Sequence, residues 1–263
     1  MGRTEALTSP ANPLLKDVRR AISRGGLTEQ GYVVAETFHL LEEALRSDLD
    51  IKVILAAESV QATVQSHVRG LSGIRLAVVA DDVFQKLADT ESSQGVITLA
   101  NPPGWNLEQI LRGKTLAVVL DGVQDPGNAG AIVRAAEAFG ATGVLFTKGT
   151  AGAFNSKTLR ASAGSLFRIP FVQGVDVTLA RAALQQRLCA IYAAMPRGGV
   201  PLPEVDLRRK CALVIGSEAH GVGEAWRNGA VGVSIPSAGV ESLNAAVAAG
   251  ILLYEAQRQR SRP

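Results

Sequence analysis

Leu116-Ala117-Val118-Val119-Leu120-Asp121-Gly122-Val123-Gln124-Asp125-Pro126-Gly127-Asn128-Ala129-Gly130 runs from five apolar residues into a dense polar loop and on towards a helical stretch that carries Arg134. A continuous apolar run is the mark of a strand covered on both faces, and a Gly- and Asn-rich loop at its carboxyl end is where open α/β sheets bind ligands. If the helix begins near Gly127, Asn128 and Arg134 lie under two turns apart and both face the strand end. Taken alone, the segment is equally a loop with Asn128 as helix cap and Arg134 on the surface.

The same grammar returns twice. Cys211-Ala212-Leu213-Val214-Ile215 leads into Gly216-Ser217-Glu218-Ala219-His220-Gly221-Val222-Gly223, and Val231-Gly232-Val233-Ser234-Ile235 leads into Pro236-Ser237-Ala238-Gly239-Val240-Glu241-Ser242-Leu243-Asn244 ahead of an alanine-rich helix. Glycines let a backbone approach a ligand closely, whereas Glu218 and Ser242 would each also serve as ordinary helix-capping residues. One such loop is commonplace; three in one half of a chain point to a site. Gly143–Phe146 and Cys189–Tyr192 read as further strands. In the first half, strands are expected at Tyr32–Val34, Ile51–Leu55, Leu76–Val79 and Gly95–Thr98, with helices at Phe38–Arg46, Val60–Val68 and Asp82–Leu87. The alternation predicts α/β architecture with parallel strands in both halves.

Asn101-Pro102-Pro103-Gly104 is the clearest break in the chain. It divides 263 residues, ample for two domains, into residues 1–101, a linker at 102–114, and residues 115–263. The net charge of +3 hides an asymmetry: residues 1–103 hold 10 basic and 13 acidic side chains, residues 104–263 hold 17 and 11. Within the acidic half, Arg3, Lys16, Arg19, Arg20 and Arg24 cluster, the last four at helical spacing, which suits either a solvated face or a polyanion. A second basic segment, Asn155-Ser156-Lys157-Thr158-Leu159-Arg160, reads by itself as a plain capped helix. The closing Arg258-Gln259-Arg260-Ser261-Arg262-Pro263 reads as a frayed helix end.

Familiar chemistries are disfavoured. No G-x-G-x-x-G follows a strand, Asn128 stands where a P-loop lysine belongs, and there is no H-E-x-x-H or G-x-S-x-G. Cys189 and Cys211 sit in apolar surroundings without a C-x-x-C, and His39, His67 and His220 are scattered, so no metal site is expected. No apolar stretch has the length of a membrane span, and the expected setting is the cytoplasm.

The three loops, taken in order, resemble the SpoU/TrmH family of RNA 2′-O-ribose methyltransferases within the SPOUT class. The residues that carry the resemblance are Asp125-Pro126-Gly127-Asn128-Ala129-Gly130 with Arg134, Gly216-Ser217-Glu218 with Gly221, and Ile235-Pro236 through Ser242-Leu243-Asn244. The first half resembles the family's ribosomal-protein-like substrate-binding domain at Ser9, Asn12, Lys16, Arg19, Val33-Val34-Ala35-Glu36 and Gln94-Gly95-Val96. Ser237 stands in place of a usual methionine, Ala245-Ala246-Val247 in place of Val-Ser-Val, Thr37 in place of glycine, and the Ile235–Asn244 loop is one residue shorter than the common pattern.

The resemblance implies a C-terminal trefoil-knotted methyltransferase domain, a smaller N-terminal α/β domain that binds RNA, a homodimer formed through the knotted domain, and S-adenosylmethionine (SAM) as cofactor. It implies that SAM lies against Gly216, Ser217, Gly221, Ile235, Pro236 and Leu243. It places Asn128, Arg134, Glu218, Ser242 and Asn244 in the catalytic set. The family assigns proton abstraction to the position of Arg134; because arginine stays protonated, a cation that stabilises the developing alkoxide is the preferred reading. Lys16, Arg19, Arg24, Lys157 and Arg160 are the expected RNA contacts. The expected substrate is structured RNA, 23S rRNA ahead of tRNA, and an antibiotic-resistance role stays open beside a housekeeping one. The alternatives are a catalytically silent RNA-binding protein of the same fold and an α/β nucleotide enzyme that never meets RNA.

Overall fold

A computed structural model describes residues 4–88 and 93–261. Arg3 of the basic cluster and Arg262 and Pro263 of the closing segment lie outside the described residues. The chain forms two compact units, one of residues 1–104 together with 154–167, the other of residues 105–153 and 168–263.

The first unit contains β1 (Thr4–Leu7), α1 (Pro13–Arg24), β2 (Val33–Glu36), α2 (Phe38–Arg46), β3 (Ile51–Ala57), α3 (Gln61–His67), β4 (Arg75–Val79), α4 (Asp81–Gln85) and β5 (Val96–Ala100). Its sheet has the order β1-β4-β3-β5-β2. β1 and β3 run parallel to β4, but β5 is antiparallel to both β3 and β2. The expectation of parallel strands in this half is therefore corrected to a mixed sheet. Burial on both faces, not strand direction, produces a continuous apolar run, and β2 and β5 are buried at every position.

Helix α1 shows how local sequence builds this unit. Asn12 caps it by accepting from the Leu14 amide at 2.9 Å, Pro13 takes the first turn, and Gly25 closes it at φ 64°. Leu15, Val18 and Ala21 enter the core, which leaves Lys16, Arg19, Arg20 and Arg24 exposed. Thr37, the residue in place of glycine, adopts φ 100°, a region that β-branched residues avoid, and its hydroxyl accepts from the Leu40 amide to cap α2. The remaining helix of this unit is α7, considered below.

The second unit opens with α5 (Leu107–Ile110), capped reciprocally by Asn106 and Gln109, with Ile110 fully buried. Much of the expected linker is thus folded into this unit, because a capping box and one large apolar residue suffice to anchor a single turn. Next come β6 (Leu116–Asp121), α6 (Pro126–Ala138) and β7 (Gly143–Thr147); the chain then passes through α7 (Ser156–Ser162) of the first unit and returns. There follow β8 (Phe171–Val175), α8 (Val177–Gln186), β9 (Ala190–Ala194), β10 (Val200–Pro201), β11 (Cys211–Gly216), α9 (Glu224–Arg227), β12 (Val231–Ser234) and α10 (Ala245–Arg260). All seven strands are parallel, in the order β10-β12-β9-β11-β6-β7-β8.

The strands that went unpredicted, β1, β8 and β10, lie at sheet edges or are very short, where solvent access dilutes the apolar signal. Trp226 anchors one face of the second core with Val119, Leu145 and Val214. Among the described residues, no helix is long and apolar enough to cross a membrane.

Candidate cofactor and catalytic site

The site of the second unit begins where β6 ends. Gly122 turns the chain at φ 69°, and Asp125, not Asn128, caps α6: its Oδ1 accepts from the Asn128 amide at 2.7 Å. The helix starts one residue ahead of Gly127, since Pro126 is preorganised for the first helical position. The Asn128 side chain is thereby released from capping.

Asn128 uses that freedom to join two loops. Its Nδ2 donates to Glu218 Oε1 at 2.5 Å, and its Oδ1 accepts from Asn244 Nδ2 at 3.0 Å. Asn244 in turn caps α10, its Oδ1 accepting from the amides of Ala246 and Val247. Each donor meets an acceptor along the path from the α10 backbone to the Glu218 carboxylate, which orients both asparagine amides and holds the carboxylate in place. The capping roles considered for Glu218 and Ser242 fall instead to Gly223, at the start of α9, and to Asn244.

The loop after β11 is closed by Ser217 and Gly221, whose backbones exchange hydrogen bonds at 3.2 and 2.8 Å. A Cβ on Gly216 would overlap the Gly221 carbonyl carbon and the Val222 nitrogen, so only glycine fits there. Ser217 Oγ accepts from the His220 amide, and Asp121 at the end of β6 accepts from the Gly223 amide at 2.7 Å. Asp121 had no sequence signal beyond its place at a strand end.

These loops enclose a cavity of about 570 Å³. Gly216, Ser217, Gly221, Ile235 and Leu243 line it, as do Glu218 and Ser242. Pro236 belongs instead to an adjoining cavity of about 510 Å³. Asn128, Asn244 and Arg134 line neither; the first two reach the larger cavity through Glu218, while Arg134 is exposed on α6 and makes no hydrogen bond or ion pair among the described residues. Met195, Pro196, Arg197 and Arg227 also line the larger cavity and were missed by sequence reading. The available signal was that residues 195–197 follow the carboxyl end of a strand.

The volume falls within the usual range for a cofactor-sized ligand. From Pro236 to Leu243 no backbone group is committed to a hydrogen bond among the described residues, which leaves amides and carbonyls for a heterocycle and a ribose. Glu218 supplies negative charge for a sulfonium and Arg227 positive charge for a carboxylate, while Arg197 and Glu241 face each other at 3.7 Å as an exposed ion pair. The donor set fits SAM.

The expected RNA contacts all lie in the first unit. Lys16, Arg19 and Arg24 project from α1 without a side-chain partner among the described residues, whereas Arg20 pairs with Glu29. Asn155 caps α7 by accepting from the Lys157 amide at 2.9 Å, and Lys157 is exposed. Arg160 is engaged: its Nη1 lies 3.4 Å from Oε1 of the buried Glu36. Cys189 and Cys211 are both free and buried.

The description of the SpoU rRNA Methylase family matches residues 115–254, and that of the MRM3-like substrate binding domain matches residues 12–98. A Bacillus subtilis relative, 23S rRNA (guanosine(2553)-2′-O)-methyltransferase RlmP, is 32% identical over 250 residues, covering 94% of this chain and 97% of its own length. The 23S rRNA (uridine(2479)-2′-O)-methyltransferase of Streptomyces viridochromogenes is 35% identical over 69% of this chain and 67% of its own. Among solved structures, the SpoU methyltransferase AviRb of that organism, in complex with AdoMet, superposes with a TM-score of 0.85 at 26% identity over 95% of this chain and 98% of its own. The AdoMet-bound rRNA methyltransferase of Sinorhizobium meliloti superposes at 0.82 with 30% identity over 98% of both chains. Sequence and fold agree on one conclusion: the chain belongs to the SpoU rRNA methylase family.

Proposed function

We propose that this protein transfers a methyl group from SAM to a ribose 2′-hydroxyl of 23S rRNA. The observation that carries the reading is the Asn128–Glu218–Asn244 network, which fixes a carboxylate at the rim of a cavity whose donor set fits SAM. The rRNA substrates named for the RlmP and Streptomyces relatives, together with the matched substrate-binding domain, support 23S rRNA over tRNA.

When bound, SAM supplies an electrophilic methyl on a sulfonium. In-line attack by a ribose oxygen demands alignment and help in losing the hydroxyl proton. Glu218, held from behind by Asn128, accepts a hydrogen bond from the ribose, and Ser242 and Asn244 complete the positioning. Arg134, permanently cationic, stabilises the developing alkoxide and grips the adjacent phosphate. Gly216, Ser217, Gly221, Ile235 and Leu243 form the cofactor wall, and Pro236 extends it into the adjoining cavity. Lys16, Arg19, Arg24 and Lys157 contact RNA phosphates.

The C-terminal unit is knotted in this reading. β9 separates β12 from β11, yet α10, which follows β12, packs on α6 and β11, so the chain must return across the sheet. The unit also forms the homodimer, for which α10 offers Val247 and Tyr254, 51% and 55% exposed. Residues 1–101, joined by residues 154–167, serve as the RNA-binding domain and the rest of residues 115–263 as the catalytic domain, acting in the cytoplasm.

The test is to map ribose methylation across total RNA from strains with and without the gene, and then to methylate a 23S rRNA transcript with purified protein and radiolabelled SAM. One nucleotide of 23S rRNA should lose its mark and regain it in vitro. An unchanged rRNA map overturns the substrate, and an unchanged map of all RNA overturns the activity.

A further inference from the structure

The 154–167 segment is docked on the first unit at three points. A Cβ on Gly25, the residue after α1, would stand 2.5 Å from Asn155 Nδ2. Arg160 pairs with Glu36, whose side chain is 4% exposed, at 3.4 Å. A Cβ on Gly164 would stand 2.5 Å from the Cβ of Glu43. Between these points α7 turns Thr158, Leu159 and Ser162 inward and leaves Lys157 outside.

The first contact brings the end of α1, where Arg24 is exposed, against the start of α7, where Lys157 is exposed. Neither cation has a side-chain partner among the described residues. Arg160 differs: to reach a phosphate it would have to give up its ion pair with the buried Glu36 carboxylate, which is unfavourable.

We infer that Arg160 is a positioning residue, whose pairing with Glu36 docks α7 so that Lys157 and Arg24 form one phosphate-binding edge. This rests on the RNA-binding reading above and alters one part of it: Arg160 acts behind the RNA surface and not on it. Glu36, the acidic residue at the end of β2, becomes a requirement for binding a polyanion.

The experiment is the salt dependence of binding of the full chain to a fluorescently labelled 23S rRNA transcript. Lys157→Ala and Arg24→Ala should each lower the slope of log K against log salt by about 0.7–0.9, one phosphate contact apiece. Glu36→Gln removes a negative charge, so simple electrostatics predicts tighter binding; the docking role predicts weaker binding and the slope of Lys157→Ala. A cycle gives a second reading: Arg160→Gln should lower the slope by about one contact, and Arg160→Gln with Lys157→Ala should lower it no further. Unchanged SAM affinity in each variant establishes that the second unit remains folded, and faster amide exchange over 156–162 in Glu36→Gln reports undocking. Equal or tighter binding by Glu36→Gln, or additive slopes in the cycle, overturns the inference and makes Arg160 a direct contact. A wild-type chain that shows no salt-dependent binding would overturn the RNA-binding reading itself, and the inference with it.

Discussion

Asn128 Nδ2 donates to Glu218 Oε1 at 2.5 Å across ninety positions of sequence, and the same amide accepts from Asn244 at 3.0 Å. One side chain thus couples the start of α6, the loop after β11 and the cap of α10, and the coupling separates stability from activity at Asn244. Asn244→Asp keeps an oxygen for the Ala246 and Val247 amides but loses the donor to Asn128. It should melt near the wild-type temperature and methylate RNA at least tenfold more slowly, whereas Asn244→Ala should also lose about 1 kcal/mol of stability. Thermal melts beside a methylation assay separate the two.

The Arg134 side chain is exposed and has no partner among the described residues, so its removal should leave the fold and the cavity intact. Arg134→Ala is expected to bind SAM as the wild type does in calorimetry and to lose methylation by a factor on the order of 10² or more. Near-normal turnover would remove Arg134 from the mechanism.

Gly216 abuts the backbone of Gly221 and Val222. Gly216→Ala must push the loop aside, at a cost of about 1–3 kcal/mol, and should raise the Kd for SAM sharply because the same loop walls the cavity. Tight SAM binding by this variant would show that the loop moves without consequence.

Thr37 adopts φ 100° where glycine would rest unstrained. Thr37→Gly relieves strain but forfeits some capping and adds unfolded-state entropy, so a net stabilisation on the order of 1 kcal/mol is expected. Chemical denaturation would detect it as a raised midpoint at unchanged slope.

Burial pushes the Cys211 thiol up to about 11. A thiol whose folded value exceeds its unfolded one binds more protons when folded, so its contribution to stability is lost as pH rises from about 9 towards 11. Denaturant midpoints should fall over that window, and Cys211→Ala should flatten the fall. In the native chain at pH 8, Cys211 should react far more slowly with a thiol reagent than it does in denaturant.

Much of this protein was legible in its residues. The apolar runs of β3, β4, β6, β7 and β11 and the helix Phe38–Arg46 stand where periodicity places them, because burial of a strand or of a helix face leaves a local pattern. Three Gly-, Asn- and Glu-rich loops at strand ends announced a site, and their order carried the family. Pairing leaves no such local trace. That β5 runs antiparallel in the first sheet, that residues 154–167 belong to the first unit, that Arg160 answers to Glu36, and that Met195 and Arg197 line the cavity were decided by tertiary structure alone. Each depends on groups that approach only after the chain has closed long loops. The composition of a segment records how deeply it is buried, whereas the identity of its distant neighbour is set by the whole fold.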